Sequence, residues 1–325
     1  ANEVNEGLAW ISVSFTDLAS NDGNTVSAVT DGSAVTIDLT APTLPTVSIA
    51  SDNALDTTKA NVGDTITVSM TASEAIVTPK VVIKGKAATV SGSGTSFTAA
   101  YTVAAGAVSE GLVYVLVEFE DLASNEGKDV LSVTDASSVT VDLTAPTVST
   151  LTISSSNAAD STKANAVDAT TAAADTITVA VTFSEAIAKP AILIAGQPAV
   201  VKGSGATWTG AYTVVAADVV EGPVSVNVGF QDLASNNGTN ATAVTDRSAV
   251  EIDLTPPTLT AVTIVSDNAA ASSRANAADV IAVSIVASET ITTPVVLIAG
   301  QSAGVSFSSG SWRATYTVVS NQVTE

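Results

Sequence analysis

Residues Glu110–Thr147 read EGLVYVLVEFEDLASNEGKDVLSVTDASSVTVDLTAPT. Val113, Val115, Val117 and Phe119 fall on alternate positions, while the opposite face carries Glu118 and Glu120, and a period of two predicts a strand with one face in a core. The DLASNEG run that follows is turn chemistry, and a final strand buries Val139, Val141 and Leu143. The same stretch returns at Glu6–Thr43, with Ala9, Ile11, Val13 and Phe15 inward, and at Glu221–Thr258, with Val224, Val226, Val228 and Phe230 inward. Asp38, Asp142 and Asp253 mark the period, at spacings of 104 and 111 residues. Self-similarity on this scale predicts an array of small domains.

The residues between the copies supply the other strands. Val47 with Ile49, Leu151 with Ile153 and Val262 with Ile264 predict a first strand. Ile66, Val68, Met70 and Ala72 alternate in the next, matched by Ile177, Val179, Val181 and Phe183, and by Ile281, Val283, Ile285 and Ala287. A third strand begins at Pro79, Pro190 or Pro294, where the missing N–H does least harm. Glycine-containing turns around Gly92 and Gly94, Gly203 and Gly205, and Gly310 lead into an aromatic-x-small-x-Tyr-x-Val strand: Phe97 to Val103, Trp208 to Val214, Trp312 to Val318. Alternation with Tyr and Val predicts that these aromatics pack in the core rather than form a sugar-stacking platform.

Seven strands in about 104 residues, with regularly spaced turns, predict an all-β chain of tandem immunoglobulin-like β-sandwich domains in a linear array. Residues 40–143 and 144–254 are each a complete domain, the second with a loop insertion near 166–175. Residues 1–39 hold only the last strands of such a domain and 255–325 only the first, so the array has incomplete domains at both ends. TAPT or TPPT joins successive domains, and proline keeps that step extended.

Composition narrows the function. Net charge is −21, from 32 acidic and 11 basic residues, which argues against nucleic acid and against anionic membrane surfaces. With 46% hydrophobic residues the chain is no disordered acidic tail. It has no Cys and no His, which removes disulfides, thiol nucleophiles, the usual zinc ligand sets and the imidazole base. Neither a signal peptide nor a membrane-inserting segment is legible. The first residue, Ala1, is not an initiator Met, and the expectation is an internal or processed segment of a longer secreted product.

IDLTAPT, VDLTAPT and IDLTPPT at the domain ends, DLASNxG before them and KANVGDTITVSMTASEAI after them resemble the tandem Ig-like repeats of large bacterial surface proteins and adhesins, and of microbial surface fibres. The resemblance covers essentially the whole chain. It implies extracellular stalks, fibres or appendages, and calcium held near domain junctions. The sequence departs from the pattern at Ser20, Ser124 and Ser235, which stand where many relatives have Gly.

Acidic residues recur at fixed places. Asp17, Asp121 and Asp232 open the DLASN turn; Asp38, Asp142 and Asp253 precede the proline step; Asp52 and Asp267 follow it, where the middle unit has Ser156. If loops of successive domains meet end to end, these carboxylates converge on a hard cation that takes oxygen ligands, with calcium the expected ion. The competing reading is that Asp and Asn in these turns accept backbone N–H bonds and nothing more. Glu74, Glu185 and Glu289, with Glu6, Glu110 and Glu221, read as solvated strand ends, because acids copied in every domain do not form the single facing pair a glycosidase needs. Asn237-Gly238-Thr239 and Asn240-Ala241-Thr242 are glycosylation sequons in one loop.

The expected function is therefore structural: a segment of an extracellular fibre, filament or cell-surface stalk, not an enzyme, with no required cofactor. The alternative is an adhesin-type binding module for a surface carbohydrate or protein. The partial end domains are expected to be completed by adjacent segments, through a longer covalent polypeptide, which is favoured, or through copies joined head to tail. ANEVNE at 1–6 matches SNQVTE at 320–325, as a continuing array requires.

Overall fold

The computed structural model describes residues 5–166 and 174–320. Among them there is no helix; every regular element is a β-strand. In the first complete repeat, Thr46–Ser51, Thr65–Thr71, Ser96–Thr102 and Thr89–Ser93 form an antiparallel sheet in that spatial order. Its partner sheet runs Val115–Glu118, Lys80–Ile83, Lys86–Ala87. The second repeat reproduces both, with Val148–Ser155, Thr176–Phe183, Thr207–Thr213 and Val200–Ser204 facing Val226–Gly229, Ala191–Ile194 and Gln197–Pro198. These are tandem β-sandwiches.

The alternation legible in the sequence is the alternation of burial. Val47, Ile66, Val68, Ala99 and Val117 are fully buried in one core, and Leu151, Ile177, Val179 and Val228 in the next. At about 1.5–3 kcal/mol for each large side chain taken out of water, such faces dominate the stability of each unit. Phe97 and Trp208 lie in these cores, and the Trp208 Nε1 donates to the Gly205 carbonyl at 3.0 Å. No stacking platform forms from them.

The strand expected to be the longest is broken. Val113, Val115, Val117 and Phe119 do point inward. However, Gly111–Leu112 pairs with Thr140–Val141, whereas Val115–Glu118 pairs with Lys80–Ile83. One extended segment thus serves two ladders, and a two-residue break lets it switch between them. Thr140–Val141 also pairs in parallel with Lys59–Ala60, which closes the side of the sandwich. The repeats accordingly hold more, shorter strands than seven.

Residues 5–39 make a two-stranded ladder, Gly7–Leu8 with Thr36–Ile37, plus bridges at Val13↔Val26 and Thr16↔Asp22. Residues 259–317 make the four-stranded sheet of Leu259–Ser266, Val280–Ala287, Ser311–Thr317 and Gly304–Ser308, with a short hairpin at Leu297–Ile298 and Gln301–Ser302. Most of the loop insertion, 167–173, lies outside the described residues. Its flanks keep the common geometry: the Asp175 carboxylate accepts from Asn157 and from the Asn165 amide, as Asp64 does from Asn53 and Asn61.

Candidate functional site

The DLASN turn is built locally. Asp121 Oδ1 accepts the amides of Ala123 at 2.7 Å and Asn125 at 2.8 Å, while Oδ2 accepts the Asn125 side-chain amide at 2.7 Å. Asp232 holds Asn236 the same way, at 2.8 Å to its amide and 2.8 Å to its side chain. Asp17 does so with Ala19 and Asn21, although that turn is exposed. The chain passes through the left-handed region at Ser20, Ser124 and Ser235, with φ of 72°, 65° and 70°. That conformation is why glycine suits this position.

The turn then reaches across to the preceding unit. Asn125 Nδ2 donates to the Asp38 carbonyl at 3.1 Å, and Asn236 Nδ2 to the Asp142 carbonyl at 3.0 Å. At the second junction Asn53, buried, adds hydrogen bonds to the Ala234 carbonyl at 3.0 Å and the Ser235 hydroxyl at 3.2 Å. Sequence reasoning missed Asn53; the recurring Asn in SDNA, SSNA and SDNA was the available signal.

Two groups of carboxylates result. Asp38, Glu74 and Asp121 bring ligand oxygens within 4.8 Å of one another, and so do Asp142, Glu185 and Asp232. In each, one acid comes from the strand end of the preceding unit and two from loops of the next. Asp121 and Asp232 are 1% exposed. Burial works against ionising Asp121, yet the donors on Asn125, Ala123 and Ser124 outweigh it and hold its carboxyl below the usual range. Glu74 is pushed up by burial and then by Asp38, Asp121 and Glu6. Glu185 is pushed up by burial and then by Asp142 and Asp232. The reading of these two glutamates as solvated strand ends is overturned: each is half-buried and faces two aspartates.

The other glutamates also have a task. Glu110 accepts the Leu143 amide at 2.9 Å and the Thr144 hydroxyl at 2.6 Å, clamping the exit of its own last strand. Glu6 does this with Leu39 and Thr40, and Glu221 with Leu254 and Thr255. The remaining candidate ligands stand outside both groups. Asp52 Oδ1 accepts the Thr65 amide at 2.7 Å and Asp267 Oδ1 the Val280 amide at 2.7 Å. Ser156 accepts the equivalent Thr176 amide at 2.8 Å, so a hydroxyl does the same work. Asp253 accepts the Thr255 amide at 3.3 Å. Asn237 and Asn240 are both exposed.

No family model matches the chain, and no curated protein matches it. Among solved structures it is similar to the I9–I11 tandem from titin, at 11% identity over 81% of this chain and 87% of that one, with a TM-score of 0.28. It is similar to the D00–D0 domain of intimin, at 16% identity over 63% and 96%, TM-score 0.22. A third is BcpA, the major pilin subunit of Bacillus cereus, at 9% identity over 75% and 83%, TM-score 0.19. No helix among the described residues is long and apolar enough to cross a membrane.

Proposed function

We propose that the chain is a structural segment of an extracellular array, a fibre or a cell-surface stalk, whose work is reach and stiffness rather than catalysis. Its units are 40–143 and 144–254, with 1–39 and 255–325 as parts of further units. The observation that carries this reading is that one junction is built twice from the same parts. In both, a buried aspartate shapes a turn whose asparagine bonds the preceding strand end, and a third carboxylate faces them.

Three carboxylates held close, two of them raised or buried and none paired with a base at hydrogen-bonding distance among the described residues, suit a hard divalent cation. In this reading calcium is held by Asp38, Glu74 and Asp121 at one junction and by Asp142, Glu185 and Asp232 at the next. The ion supplies positive charge that offsets the mutual repulsion and fixes two units in line. Sugars on Asn237 and Asn240 would add a hydrated coat to an exposed loop.

Chelation tests the reading. Removing divalent cations should lower the melting temperature and shorten the particle's maximum dimension in small-angle scattering, and calcium should restore both. If neither quantity moves, the cation has no place at the junctions.

A further inference from the structure

Asn237-Gly238 is the one Asn-Gly step in the sequence. Asparagine before glycine is a chemically weak pairing, because glycine has no Cβ to keep its amide nitrogen from reaching the preceding side chain. Packing nevertheless imposes the glycine. A Cβ at residue 238 would lie 2.1 Å from the Phe230 ring, and the same contact fixes Gly23 beside Phe15 and Gly127 beside Phe119. The residue before it does vary: Asp22 and Glu126 stand there in the other two turns, and Asn237 in this one. Of the three turns, that of the second complete unit alone joins the obligatory glycine to an asparagine.

We infer that Asn237 is a site of spontaneous deamidation that the folded second unit holds closed. In this reaction the Gly238 nitrogen attacks Cγ of Asn237 and a C–N bond forms. The Cγ–Nδ2 bond breaks, and ammonia leaves with the proton of the Gly238 amide. Water then opens the cyclic imide at either of its carbonyls. One opening gives aspartate; the other gives isoaspartate, whose main chain runs through the side-chain carbon and is longer by a methylene. A sugar on Asn237 would occupy the nitrogen that leaves, so the reaction belongs to the side chain without one.

Asn237 is exposed, so water reaches its amide. The nucleophile is what the fold withholds. The Gly238 N–H donates to the Phe230 carbonyl at 3.0 Å, and Asn237 is bridged to Gln231 in an antiparallel pair. Phe230 is a core residue, 8% exposed and packed on Phe183 with ring centroids 4.6 Å apart. Gly238 therefore leaves that carbonyl only when the turn opens locally or the unit unfolds. The consequence reaches the junction, because residue 237 directly follows Asn236, which bonds the Asp142 carbonyl and the Asp232 carboxylate. An added main-chain carbon displaces Gly238 relative to Asn236, so the ring contact of one and the hydrogen bonds of the other cannot both be kept. A unit that has opened and aged returns without its tie to the unit before it. The first complete unit is spared this, since Glu126 has no amide to lose.

The full chain, made without sugars and incubated at mildly alkaline pH, tests this by mass spectrometry of the peptide that holds Asn237. In guanidinium the peptide should gain the mass of an amide-to-acid exchange and separate into aspartate and isoaspartate forms. In the folded chain conversion should be slower by about tenfold or more, tenfold being the factor for each 1.4 kcal/mol needed to open the turn. The slowing should match the protection of the Gly238 amide against hydrogen exchange. No conversion in guanidinium, or equal rates in the two states, overturns the proposal. Refolding gives the second readout. Chain aged in guanidinium and returned to buffer should melt at the second unit below chain refolded fresh, whereas Asn237→Gln aged in the same way should show no such loss. Asn237→Asp adds the charge without the extra carbon and should melt like the unsubstituted chain. Equal melting of aged and fresh chain, or a loss in either variant as large as in the aged chain, overturns the consequence for the junction.

Discussion

The side chain of Asn236 donates to the main-chain oxygen of Asp142 at 3.0 Å while also holding the Asp232 carboxylate at 2.8 Å. One amide therefore fixes a turn within its unit and binds that turn to the unit before it. Asn125 repeats the arrangement with Asp38 and Asp121. The hydrogen bond between units comes from the same residue that gives the turn its shape, so the two cannot be separated by mutation at this position.

Replacing Asn236 by Ala should destabilise the second complete unit by roughly 1–3 kcal/mol, because a partly buried carbonyl and a buried carboxylate lose a donor together. Urea unfolding followed at Trp208, which lies in that core, measures it. A change within a few tenths of a kcal/mol would mean that water replaces the amide and that the turn does not tie the units.

Ser124→Gly should stabilise the first complete unit by roughly 0.5–1 kcal/mol, since φ at this serine is 65° and a Cβ is penalised there. Ser235→Gly should gain less, because the Ser235 hydroxyl accepts from Asn53 across the junction. Denaturant midpoints of the two variants give the comparison, and equal gains would show that the Asn53 contact contributes nothing measurable.

Gly127 tolerates no Cβ for a different reason. Its φ is not positive, but a Cβ there would lie 2.2 Å from the Phe119 ring, and at Gly238 2.1 Å from Phe230. Gly127→Ala should cost roughly 1–3 kcal/mol through displacement of a core aromatic. Thermal unfolding of Gly127→Ala beside Ser124→Gly should therefore show opposite signs within one turn; a shift of the same sign in both would refute this account.

Acidity should act in two stages. The Thr144 hydroxyl and the Leu143 amide hold the Glu110 carboxyl below its usual range, and Thr40 and Leu39 do so for Glu6. A carboxyl whose pKa is depressed on folding contributes stability above the unfolded value of about 4.3, lost as pH falls through the lower folded one. Glu74 and Glu185 are raised instead, by burial and then by the facing aspartates, so in cation-free protein their protonation removes a half-buried charge, relieves repulsion and stabilises. Melting temperature in chelator should rise as pH is lowered from 7 towards the unfolded carboxyl value of about 4.3, then fall below it. Calcium should abolish the rise; a steady decline from pH 7 in chelator would contradict the raised glutamates.

Much of this protein could be read from its residues. The alternation of Ile66, Val68 and Met70, or of Val113, Val115 and Val117, corresponds to core faces because a strand's side chains alternate by geometry. The repeat made each such reading threefold. The turn aspartates were also legible, since an Asx turn is a local structure and Asp17 forms one without a neighbour to help it. What was misread depended on separation in space. Glu74 is 36 residues from Asp38 and 47 from Asp121, and no pattern of spacing announces that the three face each other. Likewise Asp52 carries the same charge as Asp38 but is directed at the Thr65 amide.

The sequence by itself determined the period, the all-β class and which face of each strand is apolar, because these follow from covalent geometry and from the exclusion of apolar groups from water. Only the tertiary structure decided which acids meet, which merely accept a backbone amide, and which asparagine joins one unit to the next. Those outcomes depend on how loops of separate units are brought together, and a carboxylate's role is set by the donors and charges within a few ångströms of it, not by its place in the chain.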